Sequence, residues 1–191
     1  MKISLGSWAF SFGPFAENPI PFEKTVKRLS DAGYDGIEIC GFPPHVTLDR
    51  YPTKESRKEL VRFLQGHGLG VSGYAADFTS VNPVVEGNQQ KYLDLFRRNA
   101  ELVADIGSPA IRVDSIAAPG SIDDKDYQTS FDRLAAVWRE AAGIAQDAGV
   151  RLCWEFEPGF AFNKPSASVR KRRSSSFLGW FCFSLFKLLT Q

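Results

Sequence analysis

The chain has 191 residues, 43% of them hydrophobic and 24% charged, which places it among globular proteins with enough material for one substantial core. Its net charge of +1 conceals a split: 17 basic and all 22 acidic residues lie up to Glu157, leaving that body at −5, while the remainder carries +6. An acidic body excludes the basic, phosphate-tracking face of a nucleic-acid binder, and three cysteines (Cys40, Cys153, Cys182) without C-x-x-C spacing exclude a disulfide framework or a zinc knuckle.

The start, Met-Lys-Ile-Ser-Leu-Gly-Ser-Trp, reads straight into a first strand. It lacks an apolar run with a small-residue cleavage site, so a reducing, cytoplasmic location is expected. Trp8, Phe10 and Phe12 follow and would either wall a pocket mouth, stacking on a sugar, or serve as ordinary packing. From there a helix-like stretch ends near a glycine four times, and a short apolar strand follows each time. Gly33 precedes Gly36 to Cys40; Gly68 precedes Val71 to Tyr74; Gly107 precedes Ala110 to Asp114; Gly149 precedes Arg151 to Glu157. Glycine just past a helix end tolerates the left-handed conformation needed there.

Within the helices the apolar residues step by three and four. Leu93, Phe96, Ala100 and Val103 form one stripe, and Phe131, Leu134, Trp138, Ala141, Ala145 and Ala148 another. His67 closes the second helix, where a polar or cationic side chain suits the C-terminus. His45, in the loop after the second strand, would bind substrate, shuttle a proton, or be a plain surface-loop histidine. Ser121 to Asp126 lacks the glycine and distal glutamate of a calcium loop and reads as a solvated lead-in and N-cap region for the fourth helix.

Helices alternating with strands imply parallel strands, because antiparallel partners would need only short hairpins. No G-x-G-x-x-G or P-loop follows any strand, which argues against a doubly wound nucleotide fold. The expected class is therefore α/β: a partial TIM (β/α)8 barrel of about five parallel strands with four helices, over residues 1–165, plus a non-barrel tail over 166–191. The repeat is expected to be cut off after about five of eight units.

Strand side chains alternate between faces. One face holds Ile3 and Leu5, Ile37 and Ile39, Val71, Ile111 and Val113, Leu152 and Trp154, which helices would cover. The other, the lumen of a barrel, holds Glu38, Cys40, Ser72, Tyr74, Arg112, Asp114, Glu155 and Glu157. A lumen built for stability alone is filled by Val, Ile and Leu. Carboxylates facing one arginine require neutral forms, water at the mouth, or a cation, since uncompensated buried ions cost several kcal/mol each. Oxygen ligands would suit Mg²⁺ or Mn²⁺, with zinc if histidines joined.

Three stretches, Gly6-Ser-Trp-Ala-Phe10, Ala32-Gly-Tyr-Asp-Gly-Ile-Glu-Ile39 and Ala148-Gly-Val-Arg-Leu-Cys-Trp-Glu-Phe-Glu-Pro158, resemble the xylose isomerase-like TIM barrel family of sugar phosphate isomerases and epimerases. The resemblance implies isomerisation or epimerisation of a ketose, with a divalent metal (Mn or Mg, with Zn or Co as alternatives) and proton transfer through an enediolate between two opposed glutamates. It implies Glu155, at the end of strand five, as catalytic residue and metal ligand, with Glu157 beside the substrate; the lumen and loop positions add Trp8, Glu38, His45 and Arg112 as candidate substrate-binding groups. The family's other ligands come from strands six to eight, so this chain is expected to be inactive and to hold metal weakly. Its partner would be a small sugar or sugar phosphate, with no nucleic acid. The apurinic endonucleases of the same barrel need histidines where this chain has Tyr74 and Asp114.

The tail runs from a basic cluster, Arg170 to Arg173, into an apolar stretch broken by Lys187 and too short to span a bilayer. It reads as sequence foreign to the fold, or as a membrane-surface segment. A five-strand remnant would expose two sheet edges and self-associate through them. The different-class alternative is a non-catalytic interaction or membrane-associated fragment.

Overall fold

The structure, a computed structural model, describes residues 1–118, 120–155 and 159–163, together with the backbone of Cys182–Phe183. Strands β1 (Ser4–Gly6), β2 (Gly36–Cys40), β3 (Gly70–Ala75), β4 (Ala110–Val113) and β5 (Arg151–Trp154) lie side by side in chain order, all parallel. Helices α1 (Phe22–Asp31), α2 (Lys54–Gly66), α3 (Gln89–Asp105) and α4 (Tyr127–Asp147) alternate with them. This is the five-strand, four-helix partial barrel that the repeat predicts. A two-residue strand, β6 (Cys182–Phe183), pairs in parallel with β5. The tail was expected to contribute no element to the sheet, so β6 corrects that expectation at one point; the rest of the tail lies outside the described residues.

The repeating glycines each end a helix by the same device. Gly33, Gly68, Gly107 and Gly149 have φ of 78°, 71°, 69° and 73°. In each case the next N–H reaches back to the carbonyl at the helix's third-last position: Tyr34 to Leu29 at 3.1 Å, Leu69 to Leu64 at 3.0 Å, Ser108 to Val103 at 3.0 Å, Val150 to Ala145 at 2.9 Å. These are Schellman turns, and they satisfy carbonyls that helix ends otherwise leave unpaired. α2 also starts with a reciprocal cap in which Thr53 and Ser56 exchange side-chain and backbone hydrogen bonds. At α4 no such cap forms: Asp126 occupies the N-cap position but its side chain bonds no backbone N–H.

The core lies between sheet and helices. Ile37, Ile39, Ile111, Val113, Leu152 and Trp154 meet Phe22, Val26, Leu64, Phe96, Val103, Leu134, Trp138 and Ala141, all buried. Each of those strand residues was predicted on the helix-facing side, and the apolar stripes of α3 and α4 are the buried ones. Of the others read onto that side, Leu5 and Val71 are half-buried against the core, and Ile3 is 51% exposed because it precedes β1, which among the described residues has a strand neighbour on one side only.

Register moves one further residue. Ile37 pairs with Val71 but Glu38 pairs with Gly73, so β3 carries one extra residue, Ser72, at a bulge. The shift turns Tyr74 over: it aligns with Ile39 and Ile111 on the helix side, is 1% exposed, and donates its hydroxyl to the Val46 carbonyl at 3.0 Å. Alternation alone had placed Tyr74 and Ser72 in the lumen. A bulge is invisible to a strict period of two.

Candidate functional site on the inner face

With the bulge included, the inner face reads Gly6, Glu38 and Gly73 across one row and Cys40, Ala75, Arg112 and Cys153 across the next. Glu155 continues β5 past Trp154 and donates its N–H to the Val113 carbonyl at 3.0 Å. Strands stand about 4.8 Å apart, so Arg112 on β4 and Glu38 on β2 are separated by about twice that across β3. The intervening strand offers only Gly73 and Ala75 on this face, and the two long side chains reach over that low floor. Arg112 Nη1 lies 3.7 Å from Oε2 of Glu38 and 2.7 Å from Oε2 of Glu155. The three side chains are 16%, 14% and 18% exposed.

Trp8 arrives from the other side. The chain leaves β1 into a 3₁₀ turn, Ser7–Phe10, and the indole Nε1–H donates to Oε2 of Glu38 at 2.8 Å. A Cβ on Gly6 would stand 2.0 Å from that nitrogen, so the bare backbone at position 6 is what gives the ring its seat. Four of the six predicted site residues, Trp8, Glu38, Arg112 and Glu155, are thus one connected cluster. Trp8 and Glu155 lie just past the ends of β1 and β5, while Glu38 is central in β2 and Arg112 next to last in β4, so the cluster lies toward the C-terminal side of the sheet, the side where barrel enzymes place their chemistry. Glu157 lies outside the described residues.

His45 stands elsewhere. It is fully buried beneath the loop after β2, with Nε2 2.9 Å from the Ile20 carbonyl and 3.2 Å from Ser11 Oγ, and Nδ1 3.1 Å from Ser7 Oγ. A carbonyl can only accept, so Nε2 carries the proton; Ser7 Oγ accepts from Cys40 N–H at 2.8 Å and turns its own hydrogen to Nδ1. Burial holds the ring in its neutral form, lowering its pKa from the ordinary value, and the nearby Arg50 acts in the same sense. The expected surface-loop or pocket histidine is therefore a buried clasp joining the β1 turn, the loop before α1 and the loop after β2. His67 has the role its position suggests, with Nδ1–H donating to the Phe63 carbonyl at 2.9 Å beside the end of α2.

Sequence reasoning missed Ser7, which ties Cys40 to His45, and the floor residues Gly73 and Ala75, whose importance depends on the bulge. Cys40 itself borders the cluster, and burial pushes its thiol up to about 11, so it remains a neutral thiol. Phe12 packs edge-on to Phe42 at 5.5 Å and remains 46% exposed, an aromatic pair formed by the loops after β1 and β2.

A divalent cation is the cofactor that the resemblance implies. Among the described residues no three His, Cys, Asp or Glu side chains converge on one point, and the Glu155 carboxylate is paired with Arg112. The described residues therefore do not make a metal site by themselves.

The model of the xylose isomerase-like TIM barrel family matches residues 26–171. The chain belongs to that family. Solved structures share its fold at low identity. One is a D-psicose 3-epimerase with D-tagatose from Clostridium cellulolyticum H10, at 17% identity and TM-score 0.60, covering 81% of this chain and 52% of that one. Another is the IOLI protein with a binding zinc atom, at 20% identity and TM-score 0.65, covering 89% and 57%. A third is a xylose isomerase-like TIM barrel protein from Mycobacterium smegmatis in complex with magnesium, at 18% identity and TM-score 0.56, covering 78% and 50%. No curated protein matches this chain in sequence. The chain of this xylose isomerase-like barrel spans about half the length of the solved structures it resembles. No helix among its described residues is long and apolar enough to cross a membrane.

Proposed function

We propose that this chain carries the N-terminal part of a sugar isomerase or epimerase pocket, and that its inner-face cluster binds a small ketose. The observation that carries the reading is the convergence of Trp8, Glu38, Arg112 and Glu155 on the inner face, toward the C-terminal side of the sheet. A charged, hydrogen-bonded group of this kind is poorly suited to filling a barrel and well suited to polyol hydroxyls, with an indole to lie against the sugar. In the whole barrel of the family, a divalent metal supplies the charge that steadies a developing enediolate, with Mn²⁺ or Mg²⁺ favoured by oxygen ligands and Zn²⁺ or Co²⁺ as alternatives.

Within this chain, Glu155 is the one residue of the proton-moving pair that we assign. Isomerisation needs a second carboxylate on the opposite face of the substrate, so residues 1–191 alone are proposed to bind sugar without turning it over. The test is titration of the purified chain with D-tagatose and D-fructose, read by tryptophan emission in the wild type and in Trp8→Phe, alongside an assay of ketose conversion with Mn²⁺. Saturable quenching that disappears in Trp8→Phe is expected, with no conversion. Absence of any Trp8-dependent response overturns the sugar pocket, and measurable conversion overturns the assignment of inactivity.

A second reading rests on β1, which among the described residues pairs with β2 alone and so ends the sheet on one side. An unpaired parallel edge invites another copy, and we propose self-association there, measured as a concentration-dependent sedimentation coefficient. We also propose a reducing, cytoplasmic setting, with which the buried thiol of Cys40 is in keeping.

A further inference from the structure

One guanidinium already stands against the two inner-face carboxylates and offsets one of their two charges. Arg112 Nη1 is 2.7 Å from Oε2 of Glu155 and 3.7 Å from the Glu38 oxygen that also accepts from Trp8. A divalent ion of the Mg²⁺ kind would sit about 2.0 to 2.1 Å from such an oxygen and would keep several further oxygen ligands around it. The guanidinium stands in that first layer, and its charge opposes any second cation placed beside it. Its approach is built into the sheet, because Gly73 and Ala75 leave the path over β3 clear and Glu155 is set by the backbone bond from its N–H to Val113. No group of three acidic, histidine or cysteine side chains is available among the described residues to capture a metal.

We propose that Arg112 acts in this chain as a built-in cation, bridging Glu38 and Glu155 and excluding a divalent metal from Glu155. The cluster is then an arginine-bridged carboxylate pair, and its two acidic groups become metal ligands only when the guanidinium leaves. The proposal does not rest on sugar binding, which is read by Trp8 emission, so either reading can fail while the other stands.

The experiment is Mn²⁺ titration of the purified 1–191 chain, with free ion followed by electron paramagnetic resonance. Wild type, Glu155→Gln, Arg112→Met and the double variant Arg112→Met/Glu155→Gln are compared, with circular dichroism confirming the fold of each. Wild type and Glu155→Gln should take up Mn²⁺ equally weakly. Arg112→Met should bind at least about tenfold tighter, and the double variant should lose that gain. Wild-type binding that weakens tenfold in Glu155→Gln overturns the proposal, as does a folded Arg112→Met that binds no better than wild type. If Arg112→Met does not fold, Arg112→Gln replaces it, and the comparison of wild type with Glu155→Gln decides the matter without touching Arg112.

Discussion

The indole of Trp8 lies on the backbone of Gly6: a Cβ at position 6 would stand 2.0 Å from Nε1 and 2.5 Å from Cε2. The ring cannot stay in place once that atom is added. Gly6→Ala is therefore expected to push the indole off Glu38, break the 2.8 Å hydrogen bond and destabilise the chain by about 1 to 3 kcal/mol. In a Trp8→Phe background, which lacks the indole nitrogen, the same substitution should cost less. Urea unfolding of the four chains measures the coupling; equal costs in both backgrounds would show that the clash does not govern the position.

Among the described residues Arg112 pairs with two carboxylates, Glu38 and Glu155. Its removal leaves Glu38 and Glu155 close together and mostly buried, at 14% and 18% exposed. Arg112→Ala should cost on the order of 3 kcal/mol, since stranding buried charges is the expensive half of breaking an ion pair. Glu155→Gln should cost less, because Glu38 still balances the guanidinium. A ranking in which Glu155→Gln is the more damaging change, by denaturant midpoint, contradicts the bridging geometry.

Fold and site differ in how far they could be read from residues. The four helix-ending glycines recur at spacings of 35, 39 and 42 residues, and the helical stripes are continuous, so strand number, parallel order and core residues follow from local signals. Glu38, Arg112 and Glu155 were legible as inner-face groups because charge stood out among apolar strands. Tyr74 was misplaced because one extra residue, Ser72, reverses the alternation in β3, and no residue type announces a bulge. His45 is a loop histidine in sequence, and its burial arises only when Ser7, Ser11 and Ile20 arrive from other segments.

Gly107 and Gly41 separate two reasons for glycine. At Gly107 an added Cβ would meet nothing within 4 Å, but φ is +69°, so Gly107→Ala should cost about 1 kcal/mol, purely through the left-handed backbone. At Gly41 φ is not in that region, yet a Cβ would come within 2.8 Å of the Ala75 carbonyl oxygen and 2.9 Å of the Tyr74 hydroxyl. Neither neighbour can give way without moving β3 or the Tyr74 bond to Val46. Gly41→Ala should thus be the more destabilising change, and thermal denaturation that reverses this order would refute the argument.

His45 gives the chain a pH dependence of definite sign. Burial, the largest cause, lowers its folded pKa below the ordinary 6.5, with Arg50 acting the same way and the Ile20 carbonyl and Glu23 opposing. The unfolded chain therefore binds more protons than the folded one in the window between the lowered value and 6.5. The corresponding stability is complete above pH 6.5 and is lost as pH falls through that window, with a slope approaching about 1.4 kcal/mol per pH unit. Protonation would also put a hydrogen on Nδ1, where Ser7 now donates, and would oppose the clasp that joins Cys40 to the β1 turn. His45→Gln keeps a donor for the Ile20 carbonyl and cannot be protonated in this range. Urea midpoints at about pH 7 and about pH 5.5 should fall for the wild type and stay level, from a lower start, in His45→Gln. Parallel slopes in the two chains would mean that the acid sensitivity resides in another group.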